Sequence, residues 1–170
     1  MDGNAYDSFL WDSTASSASE DLLPAGGWKQ EQPPAPISYE TFREIVSEEM
    51  DLLPQYVFDE LTGGVLVERR ARLSPDSVDN DLFLMGLYNW GGLGKQVTLF
   101  YGSFVEVYGA AEEAVYRKHI RETLRHEFRH HMETRAGEFG KGSLLEEDAR
   151  RREKYLLAHR QTQTGRRGGT

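Results

Sequence analysis

The chain has 170 residues, a formal net charge of −8 and no cysteine. That length allows one domain with a tail. The missing cysteines exclude a disulfide framework, a thiolate zinc site and a cysteine nucleophile, and the acidic balance argues against general nucleic-acid binding. No apolar run approaches the roughly 20 residues of a membrane span. The opening Met1-Asp2-Gly3-Asn4 has neither the basic nor the apolar region of a secretory signal. A cytoplasmic protein with no membrane and no nucleic-acid partner is expected.

Residues 1–36 carry six acidic side chains against Lys29 alone, spaced by Ser, Ala, Gly and Pro. The composition predicts a disordered acidic tail. Tyr6, Phe9, Leu10, Trp11 and Trp28 give that tail enough apolar content for a short binding segment, or for a pro-segment over a cleft. Ser38 then caps a predicted helix over residues 39 to 53, with Phe42, Ile45, Val46, Met50 and Leu53 at helical spacing. Pro54 opens a second short helix, closed by Thr62-Gly63-Gly64. Val65-Leu66-Val67-Glu68-Arg69 predicts a strand, and residues 71 to 82 a surface loop.

Residues 82 to 94 read L-F-L-M-G-L-Y-N-W-G-G-L-G, predicting a short strand and a tight loop, with Tyr88 and Trp90 in packing roles. Gln96-Val97-Thr98-Leu99-Phe100-Tyr101 is the clearest strand. A long helix is expected over residues 110 to 135. After Gly137, Gly140 and Gly142, Ser143 caps a last helix over residues 144 to 159, with Leu145, Ala149, Leu156 and Leu157 inward and Arg150, Arg151, Arg152 and Lys154 in solvent. The globular part is thus residues 37–160, and residues 161–170 are a flexible basic tail.

The long helix carries the chemistry. His126-Glu127-Phe128-Arg129-His130 is an H-E-x-x-H sequence. Residues four apart share a helix face, so His126 and His130 can meet one metal ion. Glu127 is rotated about 100° from His126, beside the metal, where a carboxylate can take a proton from activated water. A helical wheel separates three stripes. His119, Thr123, His126, His130 and Glu133 fall together, with Glu127 at their edge. Tyr116, Ile120, Leu124, Phe128 and Met132 form the adjoining core stripe. Arg117, Lys118, Arg121, Arg125 and Arg129 take the solvent side. His131 lies off the ligand face and packs, and His119 is solvated. Nucleic-acid binding through the arginine stripe conflicts with the acidic charge and with Glu112, Glu113 and Glu122 on the same helix.

The ordered set Phe42-Arg43-Glu44-Ile45-Val46, Leu84-Met85-Gly86-Leu87-Tyr88, Val97-Thr98-Leu99-Phe100-Tyr101 and His126-Glu127-Phe128-Arg129-His130-His131 resembles the minimal zincins, a family of small, single-domain, predicted bacterial zinc metallopeptidases. The resemblance covers about residues 37 to 157. It implies an α+β, zincin-like fold: a small sheet packed on the H-E-x-x-H helix, with flanking N- and C-terminal helices. It also implies an edge strand that holds peptide extended, for which Val97-Thr98-Leu99-Phe100-Tyr101 is the best candidate. The family sequence continues H-E-x-x-H-x-x-G-x-x-D, the Asp being a third ligand. Here Glu133 stands at the Gly position and Ala136 at the Asp position, so the third ligand does not carry over.

A catalytic zinc takes three protein ligands and leaves one position open. Glu133, on the ligand face and three residues after His130, is the first candidate. Glu138 follows, and then an acid among Glu146, Glu147 and Asp148. The expected protein is therefore a zinc metallopeptidase holding one Zn²⁺ per chain on His126, His130 and Glu133. Glu127 would be its general base, and short or unfolded peptides its substrates. The alternative is a non-catalytic binding or regulatory module on the same scaffold. Oligomeric state is not legible.

Overall fold

The structure, a computed structural model, describes residues 7–12, 35–92, 94–138 and 140–166. It is α+β. Three strands make up most of a mixed sheet: β2 (Gly64–Glu68), β3 (Leu82–Gly91) and β4 (Gly94–Phe100). β3 and β4 form an antiparallel hairpin in which Tyr88 faces Val97 and Gly91 faces Gly94, and β2 runs parallel to β4. A fourth strand, β1 (Asp7–Asp12), lies antiparallel on the free side of β3, so the order is β1-β3-β4-β2.

The helices are α1 (Tyr39–Asp51), α2 (Tyr101–Tyr108), α3 (Glu113–Ala136) and α4 (Leu144–Arg166), with a short 3-10 turn at Gln55–Phe58. α1 begins where Ser38 accepts the Thr41 amide at 3.0 Å, satisfying one of the donors a helix start leaves open. α3 ends at Gly137, whose φ of 70° is the left-handed conformation that closes helices and that glycine adopts without a Cβ penalty. α1 and α3 cover the sheet. Phe42, Ile45 and Val46 of α1 meet Met85 and Tyr88 of β3, Val97 and Leu99 of β4, and Tyr116, Ile120, Leu124 and Phe128 of α3 in one buried core. The predicted core stripe of α3 is the observed one, because a 3.6-residue period leaves only that face able to bury apolar surface. α1 and α3 are also tied by Glu49, a buried acid that accepts from Arg121 Nε and Nη2 at 2.6 and 2.9 Å. The Arg121 hydrogen bonds hold its pKa below the ordinary carboxylate value.

Several expectations need correction. Residues 82 to 91 form one ten-residue strand. The glycine inside it serves a close approach described below. Tyr101, expected to close the β4 strand, instead opens a helix of eight residues. β4 is interior, between β3 and β2, and so is not the edge strand expected of it. The supposed disordered tail contributes β1, although the rest of residues 1–36 up to 34 lie outside the described residues. The C-terminal helix continues to Arg166, through most of the stretch expected to be a tail. Its inward face is also one residue out of phase with the expected one: Leu144 and Asp148 are buried, while Ala149 and Leu157 are exposed. Among the described residues no helix is long and apolar enough to cross a membrane.

Candidate metal centre

Two elements build the site. α3 is bound to the sheet by its apolar stripe, so its next stripe, carrying His126 and His130, turns toward α4. α4 presents Leu144, Asp148, Tyr155 and His159 at steps of four, seven and four residues, a single helical face. That face is anchored at its far end by the loop before β3. Tyr155 donates to Asp81 Oδ1 and accepts the Val78 amide, His159 Nε2 lies 2.9 Å from Asp81 Oδ2, and Arg152 pairs with Asp76 at 2.8 Å.

At the near end Asp148 meets the two histidines. Asp148 Oδ2 is 3.0 Å from His126 Nε2 and 3.0 Å from His130 Nε2, and the two nitrogens are 3.1 Å apart. The rings stand at 79° to each other. All three residues are buried, at 9%, 3% and 8% exposure for His126, His130 and Asp148.

The three contacts cannot all be hydrogen bonds at once. An imidazole nitrogen in its ring plane either donates one hydrogen or offers one lone pair, never both. If both nitrogens donate to Asp148 Oδ2, which can accept both, each atom has a partner and the 3.1 Å contact is a close approach of two donors. If one donates to the other, the acceptor nitrogen has nothing left for the carboxylate. At most two of the three contacts are hydrogen bonds in any protonation state. A cation among three converging lone pairs satisfies all of them. Two imidazole nitrogens and one carboxylate oxygen are a donor set that suits zinc. Among the described residues, these are the His and acidic side chains that converge in this way.

Glu127, fully buried, lies toward β3. A Cβ on Gly86 would sit 2.6 Å from Thr123 Cγ2 and 2.9 Å from Glu127 Oε1, so the α3–β3 approach at this point admits only glycine. The neighbouring Met85 also faces the helices. Two successive strand residues facing one layer require a bulge, and the β1–β3 register shifts here: Phe9 is opposite Gly86 and Leu10 opposite Leu84. Gly86→Ala is expected to cost about 1–3 kcal/mol by overpacking against Thr123 and Glu127. Denaturant unfolding measures this, and an unchanged midpoint would mean that α3 does not rest on β3 at Glu127.

Of the residues singled out from sequence, His126 and His130 come together and Glu127 adjoins them in the chain. Glu133 does not join them, which corrects the first choice of third ligand. Its Oε1 accepts from Arg129 Nε at 2.9 Å and its Oε2 accepts the Leu144 amide at 2.8 Å. The open amides at the start of α4 compete for this carboxylate, and it caps that helix in place of Ser143, whose buried hydroxyl has no hydrogen-bond partner among the described residues. Glu138 is exposed beyond the α3 cap. Glu146 accepts the Gly142 amide, and Glu147 pairs with Arg129 at 3.1 Å. Asp148, third in the order of candidates, is the acid that reaches the histidines. The spacing of Leu144, Asp148, Tyr155 and His159 is the signal in the sequence that points to it.

His131 packs as expected. Its Nε2–H donates to the Asp59 carbonyl at 2.8 Å and its Nδ1 accepts from the Tyr88 hydroxyl at 3.1 Å, while burial lowers its pKa and favours the neutral ring. His119 is not solvated. It stacks on Tyr108 with centroids 4.3 Å apart and lies 3.0 Å from Glu122, and burial lowers its pKa as well.

No family model and no curated protein matches the chain. Among solved structures it is similar to a conserved hypothetical protein from Thermo thermophilus, at 31% identity and a TM-score of 0.52. The match covers 59% of this chain and 98% of that one.

Proposed function

We propose that this chain, which belongs to the same family as that Thermo thermophilus protein, is a zincin-like, zinc-dependent peptide hydrolase. The observation that carries the reading is the triangle of His126 Nε2, His130 Nε2 and Asp148 Oδ2, whose three contacts cannot all be hydrogen bonds. Its partner is Glu127, the residue after the first histidine. Three protein donors converge among the described residues, the number that a catalytic zinc site uses while leaving one position open.

His126, His130 and Asp148 would hold a zinc ion, which would supply a Lewis acid for a peptide carbonyl and bring the pKa of water toward about 7. Glu127 takes the proton of the attacking water and delivers it to the leaving amine. Gly86, by lacking a side chain, leaves the Glu127 carboxylate its place. Glu133 and Arg129 hold the start of α4, and thereby Asp148, against α3.

The test is to strip the protein with a chelator and titrate zinc. Saturation at one ion per chain is expected, with stabilisation of about 2.7 kcal/mol at zinc a hundredfold above its Kd. Zinc-restored cleavage of an unfolded peptide library should accompany it. A protein that takes up no zinc overturns the reading. The burial of Glu127 and all three donors favours a second reading, a structural ion joining α3 to α4 in a non-catalytic module. Stoichiometric zinc without any peptide cleavage would select it.

A further inference from the structure

We infer that Asp81, Tyr155 and His159 form a proton-operated latch. It fastens the C-terminal half of α4 to the loop before β3 while the His159 ring carries two protons, and it slackens when one is lost. The latch needs neither zinc nor the hydrolase reading.

The surroundings of the ring carry the argument. His159 Nδ1 lies 3.0 Å from the Tyr155 carbonyl oxygen, and Nε2 lies 2.9 Å from Asp81 Oδ2. Both neighbours can only accept, and an imidazole donates from both nitrogens only as the cation. A neutral ring keeps one of the two bonds and turns a lone pair on an oxygen at the other. His131 shows the opposite arrangement. Its partners are a carbonyl and the Tyr88 hydroxyl, which can donate, so the neutral ring satisfies both. Asp81 also accepts from Tyr155 on its second oxygen, so one carboxylate joins two residues of α4. The His159 and Asp81 side chains are 13% and 15% exposed, and salt screens such a pair less than a surface one.

Negative charge predominates around the ring. Asp79 Oδ2 stands 3.9 Å from Nε2, and β1, which also borders α4, brings only Asp7 and Asp12 as charged residues. Arg152 is paired with Asp76, α3 meets α4 near its start through Arg129 and Glu147, and Arg160 follows His159 in the chain. The Tyr155 carbonyl, and after it the Asp81 and Asp79 carboxylates, raise the His159 pKa against the opposing effect of burial. Burial also opposes the charge on Asp81, but the bonds from Tyr155 and His159 outweigh it and hold that pKa below the ordinary carboxylate value. Asp81 therefore stays ionised while the ring titrates. With its folded pKa above the unfolded one, the ring's contribution is complete below the unfolded pKa and is lost as pH rises through the folded one.

The far end of α4 is suited to such control. Leu144, in the first turn, is the buried apolar residue of this helix among the described residues, and Leu157 is 47% exposed. The C-terminal half rests instead on polar contacts to residues 76–81. Asn80, at a φ of 58°, takes the left-handed conformation that asparagine tolerates and leads the chain into Asp81. Because α4 also carries Asp148, slackening from this end loosens the helix that faces the two α3 histidines.

Amide hydrogen exchange of residues 150–160 tests the latch, read by mass spectrometry on the full-length chain and corrected for the intrinsic rate, between about pH 6 and 9. Protection in the native chain is expected to fall about fivefold across that range, the equivalent of one net hydrogen bond. In His159→Gln it should stay at the native alkaline level throughout. In His159→Lys, which keeps a cation opposite Asp81, it should be higher than in the Gln variant and flat. The other histidines are common to all three chains, so the differences belong to position 159. Native and Gln chains with the same pH profile overturn the inference, as does a Lys variant that falls like the native chain. If the Gln variant does not fold, the native and Lys profiles alone decide in the same way. Neither zinc uptake nor peptide cleavage enters the readout, so the latch stands or falls apart from the hydrolase reading.

Discussion

A Glu127→Gln variant is expected to keep one zinc per chain and to lose about 10²–10⁴ in peptide turnover. Gln has the shape of Glu, so the close contact with Gly86 is preserved and the fold should survive. What disappears is a group able to accept and return a proton. The buried amide can still offer a hydrogen bond, which is why the loss belongs to turnover and not to metal content. Kinetics beside elemental analysis separates the two. Native turnover in the Gln variant would remove Glu127 from the proton transfer, and simultaneous loss of zinc would give it a structural role.

Asp148→Ala is expected to weaken zinc binding by at least about 100-fold, since loss of even a group supporting a ligand costs about 10–100-fold. Glu133→Ala should change zinc affinity only a few-fold. Its expected cost is about 0.5–2 kcal/mol of stability, from losing the cap on the Leu144 amide. Glu133→Gln should recover most of that stability, because an amide oxygen accepts the same hydrogen bond. Competition with a chromophoric chelator reads the affinities and thermal unfolding reads the stabilities. The opposite pattern, with zinc lost on removing Glu133 and kept on removing Asp148, would return the third ligand to α3.

The contrast between these acids shows what is legible in the chain. Everything on α3 follows from a local period: the apolar stripe, the two histidines on one face and the buried Glu127 are fixed by positions within one helix. Glu133 does lie near that face, yet its choice of partner depends on where α4 begins, seven residues beyond α3. Asp148 depends on the rotation of α4. Leu145 and Ala149 suggest one phase, but the anchors are polar: Arg152, Tyr155 and His159 bind the acids before β3. Hydrophobic periodicity carries no information about such a face. Gly86 reads as a break in a strand because close contact with Glu127 and Thr123 is not a local property. β4 reads as a strand from its residues, but only the pairing order makes it interior. β1 escapes a compositional reading because the average over 36 residues hides a six-residue strand.

The two histidines come from one helix and the carboxylate from the next, 18 positions after His130. An ion joining them closes a loop of chain in the same sense as a covalent cross-link. For a loop of about 15 residues, the lost freedom of the unfolded chain is worth about 3 kcal/mol. Such a link is fastened after folding and undone by a chelator. The lifetime of the α3–α4 junction, and with it the chain's resistance to degradation, would therefore rise and fall with the zinc available around it.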